Sequence, residues 1–186
     1  MTPGRRAGVG RLADGRTIAW SVADGRRGRR WRTATSDEHC SLEAALLLEL
    51  APDGRLSKVE LATSKGLLTL HPEAGLLHGN VVAAAGVRHL RFGWSADHVL
   101  VIEGSAVSLA AAALQAAPGR VGERQVAPAI IVRSDLGVEA NEVAFGRPSG
   151  RTLRVELDAE TRELELDDDG IPDELRSGGD WPLELD

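Results

Sequence analysis

Residues 66–94, GLLTLHPEAGLLHGNVVAAAGVRHLRFGW, decide the fold class of this chain. Short apolar segments alternate here with turn signals, Pro-Glu-Ala-Gly in one place and Ala-Ala-Gly in the other. Near the end of the stretch, Leu90 and Phe92 fall on one face of an extended chain and Arg91 falls on the other, because the side chains of a strand alternate. Short patterned segments between turn signals predict consecutive antiparallel hairpins.

The same punctuation continues along the rest of the chain, where turn signals such as ADGR, PDGR, PSGR and DDDG separate further short segments. Residues 98–104 predict a strand that is covered on both faces, because they are almost uniformly apolar. Residues 40–50 suit either a helix or a strand, and the hairpin turn that follows them favours a strand. Residues 152–158 and 161–167 predict one more hairpin.

One segment predicts a helix. Residues 105–117, SAVSLAAAALQAA, are rich in Ala and Leu, begin with Ser105 as a candidate N-cap and stop before Pro118. The fold class expected is therefore mainly β, with one or two helices. We expect a large curved antiparallel sheet of about ten strands, shaped like half a barrel.

The composition indicates a single domain over residues 1–186. An apolar fraction of 42% can bury a sizeable core at this length. Cys40 is the one cysteine, which excludes an internal disulfide and a thiolate metal cluster. The sequence has no apolar run typical of a signal peptide and none of about 18 residues that could span a membrane. We therefore expect a cytoplasmic protein that is not integral to a membrane.

Charge is distributed unevenly along the chain. Residues 1–32 hold nine arginines and two acidic residues, whereas residues 151–186 hold four arginines and thirteen acidic residues. A basic arm over residues 1–15 could contact nucleic acid, but few aromatic side chains accompany it and the whole chain has a net charge of −6. We expect no nucleic-acid partner. An acidic tail over residues 167–186 could instead lie beside the basic end as a neighbouring strand.

Four of the five histidines lie close together in the sequence, at His71, His78, His89 and His98. A zinc site needs three or four ligands that converge on one point, and closely spaced pairs are typical. The gaps here are 7, 11 and 9 residues, which leaves no such pair. Antiparallel strands could still bring these histidines together, so a metal-binding module or a metal-dependent hydrolase is an alternative function. Histidines that decorate a sheet and line the rim of a pocket need no metal, and we expect no cofactor and no catalytic residue.

An acidic turn near the C-terminus has the spacing of a calcium loop. Alternate carboxylates follow the register that surrounds one cation, at Glu165, Asp167, Asp169 and Asp173. Arg176 stands where the bidentate glutamate of such a loop would be. The same acids would keep an ordinary turn at the end of a strand soluble, and the sequence leaves both interpretations open.

Two stretches carry a family resemblance: residues 66–105, GLLTLHPEAGLLHGNVVAAAGVRHLRFGWSADHVLVIEGS, and residues 152–167, TLRVELDAETRELELD. The order of elements in these stretches is a Leu-rich strand, a hairpin, a strand of small apolar residues and a final strand pair. In this pattern, over residues 16–175, the chain resembles the bacterial glycolipid-binding family, a domain of otherwise unknown function. The resemblance implies a strongly curved antiparallel sheet, similar to that of bacterial lipoprotein carriers, around helices and an apolar cavity. It transfers no catalytic or ligand residues.

The function expected is the binding of a lipid or a glycolipid-like apolar ligand, without enzymatic activity. The ligand contacts expected are amphipathic and polar side chains along the sheet: Trp20, Trp31 and Trp94 for the body of the ligand, and His78, Asn80, Arg88 and Arg91 for a polar head group. A further alternative is a protein–protein interaction domain that forms a homodimer through the edges of its sheet.

Overall fold

The computed structural model describes residues 4–12 and 14–182, and the chain forms two compact units. The first unit comprises residues 1–93 and 174–186, and the second comprises residues 94–173. Strands account for 58% of the described residues, in a large antiparallel sheet and a curled half-barrel sheet. The predicted fold class is therefore confirmed, and the single domain over the whole chain stays a prediction.

In chain order, the described residues form fourteen strands, one α-helix and one 3₁₀ turn. The strands are β1 (Arg5–Arg11), β2 (Thr17–Gly25), β3 (Gly28–Ser36), β4 (Leu42–Leu50), β5 (Leu56–Thr63), β6 (Gly66–Glu73), β7 (Leu76–Ala83), β8 (Gly86–Gly93), β9 (Val99–Ile102), β10 (Arg124–Val132), β11 (Val138–Gly146), β12 (Thr152–Leu157), β13 (Glu160–Glu165) and β14 (Asp180–Pro182). The helix α1 spans Ala106–Ala116, and the 3₁₀ turn spans Asp173–Arg176.

The first unit is a nine-stranded antiparallel sheet in the order β14-β1-β2-β3-β4-β5-β6-β7-β8. At one end of this order, Ala7 of β1 lies opposite Trp181 of β14. The Val9 backbone also accepts from the Gly178 N–H at 2.9 Å and donates to the Gly179 carbonyl at 3.0 Å. The two ends of the described chain are therefore neighbouring strands, as one interpretation of the uneven charge predicts.

Much of the expected basic arm and acidic tail belongs to regular structure. Arg5–Arg11 is strand β1, and residues 173–182 contain the 3₁₀ turn and strand β14. Residues 1–3 and 13 of the arm and residues 183–186 of the tail lie outside the described residues.

Three tight hairpins bring β5–β8 together. The loops between paired strands have two residues each, 64–65, 74–75 and 84–85. Gly66 follows the first loop with a φ of 146°, and a Cβ atom there would lie 2.2 Å from the Val82 carbonyl oxygen. Only glycine permits both this backbone conformation and this close approach, so the local sequence fixes where the hairpin turns.

The sheet of the first unit has a buried face and an open face. In-register residues of β3–β6 on the buried face are at most 1% exposed, at Trp31, Leu48, Val59 and Leu70. In β8, Leu90 is buried and its neighbour Arg91 is exposed, which confirms the alternation predicted from the sequence. The open face takes the residues that alternate with the buried ones.

The second unit contains the five-stranded sheet β13-β12-β11-β10-β9 and the helix α1. The helix begins after the N-cap Ser105, whose side chain accepts from the Ser108 N–H at 3.2 Å, and it ends before Pro118, as predicted. Its Leu109 packs into a core that includes Phe145 of β11. The helix has 11 residues, and no helix in the described part of the chain is long and apolar enough to cross a membrane.

The division of the strands differs from the sequence-based expectation of about ten strands in one sheet. The described residues contain fourteen strands in two sheets, and β9 runs parallel to β10. Parallel neighbours need a crossover connection, which α1 provides here. Local patterning locates the helix but does not show which strands it joins, so the parallel pair was not predicted.

Candidate functional site

Three of the four clustered histidines meet on the open face of β6–β8. His71 lies opposite His78, with ring centroids 6.1 Å apart, and His78 lies opposite Arg91. In the next row, His89 lies opposite Asn80, and the His89 Nδ1 is 2.6 Å from the Asn80 Oδ1. Because an amide oxygen only accepts, the His89 ring donates from Nδ1. These five residues form a polar surface, here called the imidazole patch.

The fourth histidine belongs to the second unit. His98 is half-buried beside Trp94, with ring centroids 5.5 Å apart. Its Nδ1 accepts from the Ser95 backbone N–H at 3.1 Å and lies 2.8 Å from the Ser95 hydroxyl oxygen. Within residues 4–12 and 14–182, no three His, Cys, Asp or Glu side chains are arranged to hold a metal ion.

Two of the predicted ligand residues lie in the core of the first unit. Trp20 and Trp31 are 3% and 0% exposed on the buried face, with ring centroids 6.4 Å apart. The Trp20 Nε1 donates to the Leu175 carbonyl at 2.6 Å. The Trp31 Nε1 is buried too, and it has no acceptor among the described residues. A buried polar group without a partner is rare in folded proteins and requires an explanation.

The remaining predicted ligand residues lie on other surfaces. Arg88 is exposed, on the same side of the sheet as the buried Leu90. The other polar members, His78, Asn80 and Arg91, belong to the imidazole patch on the open face. Trp94 is half-buried in the second unit. The predicted set is therefore divided between both faces of the large sheet and the second unit.

The acidic turn is organised by its own hydrogen bonds. The Asp167 Oδ1 accepts from the N–H of Asp169 at 3.0 Å and from the N–H of Ile171 at 2.9 Å. The Glu165 Oε1 accepts from a threonine hydroxyl of β12 at 2.6 Å, and Asp173 begins the 3₁₀ turn. The Asp167 carboxylate therefore has partners within the turn and the Glu165 carboxylate has one on β12, and both interpretations of the turn stay predictions.

A polar cleft in the second unit was not predicted from the sequence. It has a volume of about 480 Å³ and lies where β11 and the β12–β13 hairpin diverge. Charged and amide side chains dominate its lining, among them Arg124, Asn141, Glu142, Glu156, Asp158 and Glu160. The cleft is therefore unlike the apolar cavity that the family resemblance implies.

Asp158 is held firmly at the edge of this cleft. Its Oδ1 accepts from the Asn141 Nδ2 at 2.8 Å, and its Oδ2 accepts from the Arg133 guanidinium. The bond with Arg133, and then the bond with Asn141, lowers the pKa of the Asp158 carboxyl below its usual value. Asp158 and Ala159 have φ values of 51° and 67°. A two-residue hairpin of this kind usually carries glycine, so the alternation of the flanking segments, and not the turn residues, predicted this hairpin.

No family model matches the sequence, and no curated protein matches it. Among solved structures, the chain is similar to the crystal structure of a DUF1089 family protein from Pseudomonas aeruginosa, with a TM-score of 0.53 and 17% sequence identity. The similarity covers 91% of this chain and 87% of that chain. At this identity it shows a shared fold. DUF1089 is a domain of unknown function, and the glycolipid-binding family is not confirmed.

Proposed function

We propose that the protein binds a lipid or a glycolipid-like molecule along the buried face of the nine-stranded sheet. The observation that carries this proposal is the indole N–H of Trp31, which is buried without an acceptor among the described residues. A buried donor left without a partner costs about 1–3 kcal/mol. A guest molecule with an oxygen near this nitrogen would recover that free energy by accepting the hydrogen bond.

The surroundings of Trp31 suit the apolar part of such a guest. Its row continues in register through Leu48, Val59 and Leu70 and then, past Gly79 of β7, to Leu90 of β8. Six strands spaced at about 4.8 Å give this row a length of about 24 Å. Because these side chains are already buried, an extended acyl chain along the row would displace the groups that now cover it, and the acyl chain's own surface, once removed from water, would contribute about 25 cal/mol per Å².

The polar end of the row lies on β2 and β3. Arg29 and Asp24 form a largely buried ion pair there, with the Arg29 Nε 2.7 Å from the Asp24 Oδ1. The Arg29 guanidinium carbon is 5.8 Å from the centre of the Trp31 ring. A polar head group at this end of the row would meet the charges of the Arg29–Asp24 pair and the Trp31 N–H, which has no acceptor among the described residues. Of the predicted ligand residues, this assignment retains Trp31, and it leaves the imidazole patch outside the proposed site.

The decisive experiment is native mass spectrometry of the protein purified from its own host, before and after mild organic extraction. A bound lipid predicts an added mass of several hundred daltons that extraction removes. Trp31→Phe keeps an aromatic ring but lacks the N–H, so we expect it to carry less of this added mass. Trp94→Phe, in the second unit, is the matched control and should keep the wild-type occupancy.

Three results would contradict the proposal. The first is a bare protein mass before extraction, and the second is an added mass that matches a calcium or zinc ion. The third is a Trp31→Phe variant that retains as much lipid as Trp94→Phe. In that last case an ordered water, which also satisfies buried polar groups, would be the better account of the Trp31 N–H.

A further inference from the structure

A compact surface of apolar and basic residues lies at one end of β5–β8. Two hairpin tips, residues 64–65 and 84–85, are neighbours there, because Gly66 after the first tip lies opposite Ala83 before the second. Ser64 and Lys65 are exposed in one tip, and both alanines are exposed in the other. We call residues 62–67 and 82–88 together the tip patch.

Large apolar side chains are exposed in register within the tip patch. Leu67, Val82 and Val87 lie opposite one another on β6, β7 and β8, and they are 41%, 46% and 59% exposed. The same row continues across the open face of the sheet through smaller residues, at Ala62, Ala45, Ala34 and Ala19. Contiguous exposed apolar surface of this kind marks a site of interaction.

The charge of this region is opposite to that of the chain. The protein has 28 acidic residues and a net charge of −6, yet residues 61–96 include a single acid, Glu73. Glu73 lies at the far end of β6, away from the tip patch. The charged side chains of the tip patch are Lys65 and Arg88, and both are exposed. Lys65 therefore offers an anionic partner a complementary charge, beside Glu43 of β4, whose carboxylate is paired with Arg16.

We propose that the tip patch docks onto the surface of an anionic lipid bilayer. The two hairpin tips enter the head-group region, the three exposed apolar side chains reach the boundary of the acyl chains, and Lys65 meets lipid phosphates. Apolar burial and attraction to anionic lipid together hold peripheral proteins at a membrane. The patch has no aromatic side chain, the type that most often anchors protein–protein interfaces, and its aliphatic groups suit acyl chains.

Vesicle flotation tests this proposal directly. We expect the extracted protein to float with vesicles of phosphatidylglycerol and phosphatidylcholine in equal parts and not with phosphatidylcholine alone. Binding should weaken as the Debye length falls from about 10 Å at 0.1 M salt to about 3 Å at 1 M. Because the protein is stripped of bound lipid first, the result does not depend on whether the buried face of the sheet holds a ligand.

Substitutions within the tip patch separate its two contributions. Val82→Thr and Val87→Thr keep the β-branched shape and the charge, and each should weaken vesicle binding about fivefold through lost apolar burial. Lys65→Gln should weaken it about fivefold through lost attraction. Circular dichroism confirms that each variant folds. The matched control is Arg26→Gln with Arg27→Gln, in the exposed β2–β3 tip, which should bind vesicles as wild type does.

Three outcomes would overturn the proposal. One is a wild-type protein that does not float with the anionic vesicles. Another is equal weakening by the control and by Val87→Thr, which would indicate general attraction rather than docking by the tip patch. The third is light scattering that shows self-association abolished by Val87→Thr, since the patch would then be an interface between copies of the chain.

Discussion

At the scale of single residues, Trp20 and Trp31 form a natural comparison. Both indoles are buried on one face, but the Trp20 N–H donates to the Leu175 carbonyl and the Trp31 N–H has no acceptor among the described residues. Trp20→Phe and Trp31→Phe remove similar volumes, so their difference isolates the hydrogen bond. We expect Trp20→Phe to lower the free energy of unfolding by about 1–3 kcal/mol more than Trp31→Phe, measured by urea denaturation of lipid-free protein.

Equal losses in the two variants would show that the Trp20–Leu175 hydrogen bond adds no net stability. The comparison requires both variants to have the same dependence of stability on urea, because a changed slope would indicate a changed denatured state. The result also bears on the proposed ligand. If Trp31→Phe is the milder change without lipid and the more harmful one for lipid occupancy, the N–H serves binding and not folding.

Which residues share a face could be predicted from the sequence, but the role of each residue could not. The alternation of Leu90 and Arg91 is a local property of one strand and was predicted. The partner of the Trp20 N–H is Leu175, 155 residues away, and no local pattern contains that contact. Whether the Trp31 N–H finds an acceptor likewise depends on side chains contributed by other strands. The sequence could therefore place Trp31 in a ligand set without showing that its side chain is buried.

At the scale of elements, the pairing of β6 with β7 depends on Gly79. A Cβ atom at this position would lie 2.0 Å from the Thr69 carbonyl oxygen and 2.7 Å from the Leu70 Cδ2. The nearer atom belongs to the backbone, so no side-chain rotation relieves the overlap, and the two strands must shift apart. We expect Gly79→Ala to lower the free energy of unfolding by about 3 kcal/mol, measured by urea denaturation.

The control for this substitution is Gly93→Ala at the end of β8. A Cβ atom there would meet no heavy atom within 4 Å, and the backbone is not in the left-handed region. Its effect should stay within about 0.5 kcal/mol. If Gly79→Ala is as stable as Gly93→Ala, β6 and β7 do not approach as closely as the structure shows. The row of side chains proposed to hold the ligand would then be wrong as well.

Elements with local signals were predicted, and those that depend on distant pairing were not. The helix in residues 105–117 follows from its composition, its cap and the proline beyond it, and the hairpin of β12 and β13 follows from two alternating segments. The parallel pairing of β9 with β10 joins segments on either side of the helix. The polar cleft arises where β11 and β12 stop pairing. Neither feature has a signature within a short window of sequence.

At the scale of the whole molecule, the first unit is assembled from both ends of the chain. Its sheet contains residues of the first half and then strand β14, which follows the entire second unit in the sequence. Contacts of such long sequence separation slow folding, because the intervening loop must close before they form. The last strand also covers the edge of β1, which would otherwise present unpaired backbone groups.

Deletion of residues 177–186 tests the importance of this closure. The shortened chain loses β14 and the Ser177 hydroxyl, which accepts from the Arg11 N–H at 2.7 Å, but it keeps Leu175, the acceptor of the Trp20 indole. We expect a lower urea midpoint and, because β1 becomes an uncovered edge, more self-association than the full chain shows by light scattering. Ser177→Ala is the control. It should cost about 0.5–1.5 kcal/mol without added association, whereas a deletion variant that matches the full chain in both measurements would mean that β14 contributes nothing to the sheet.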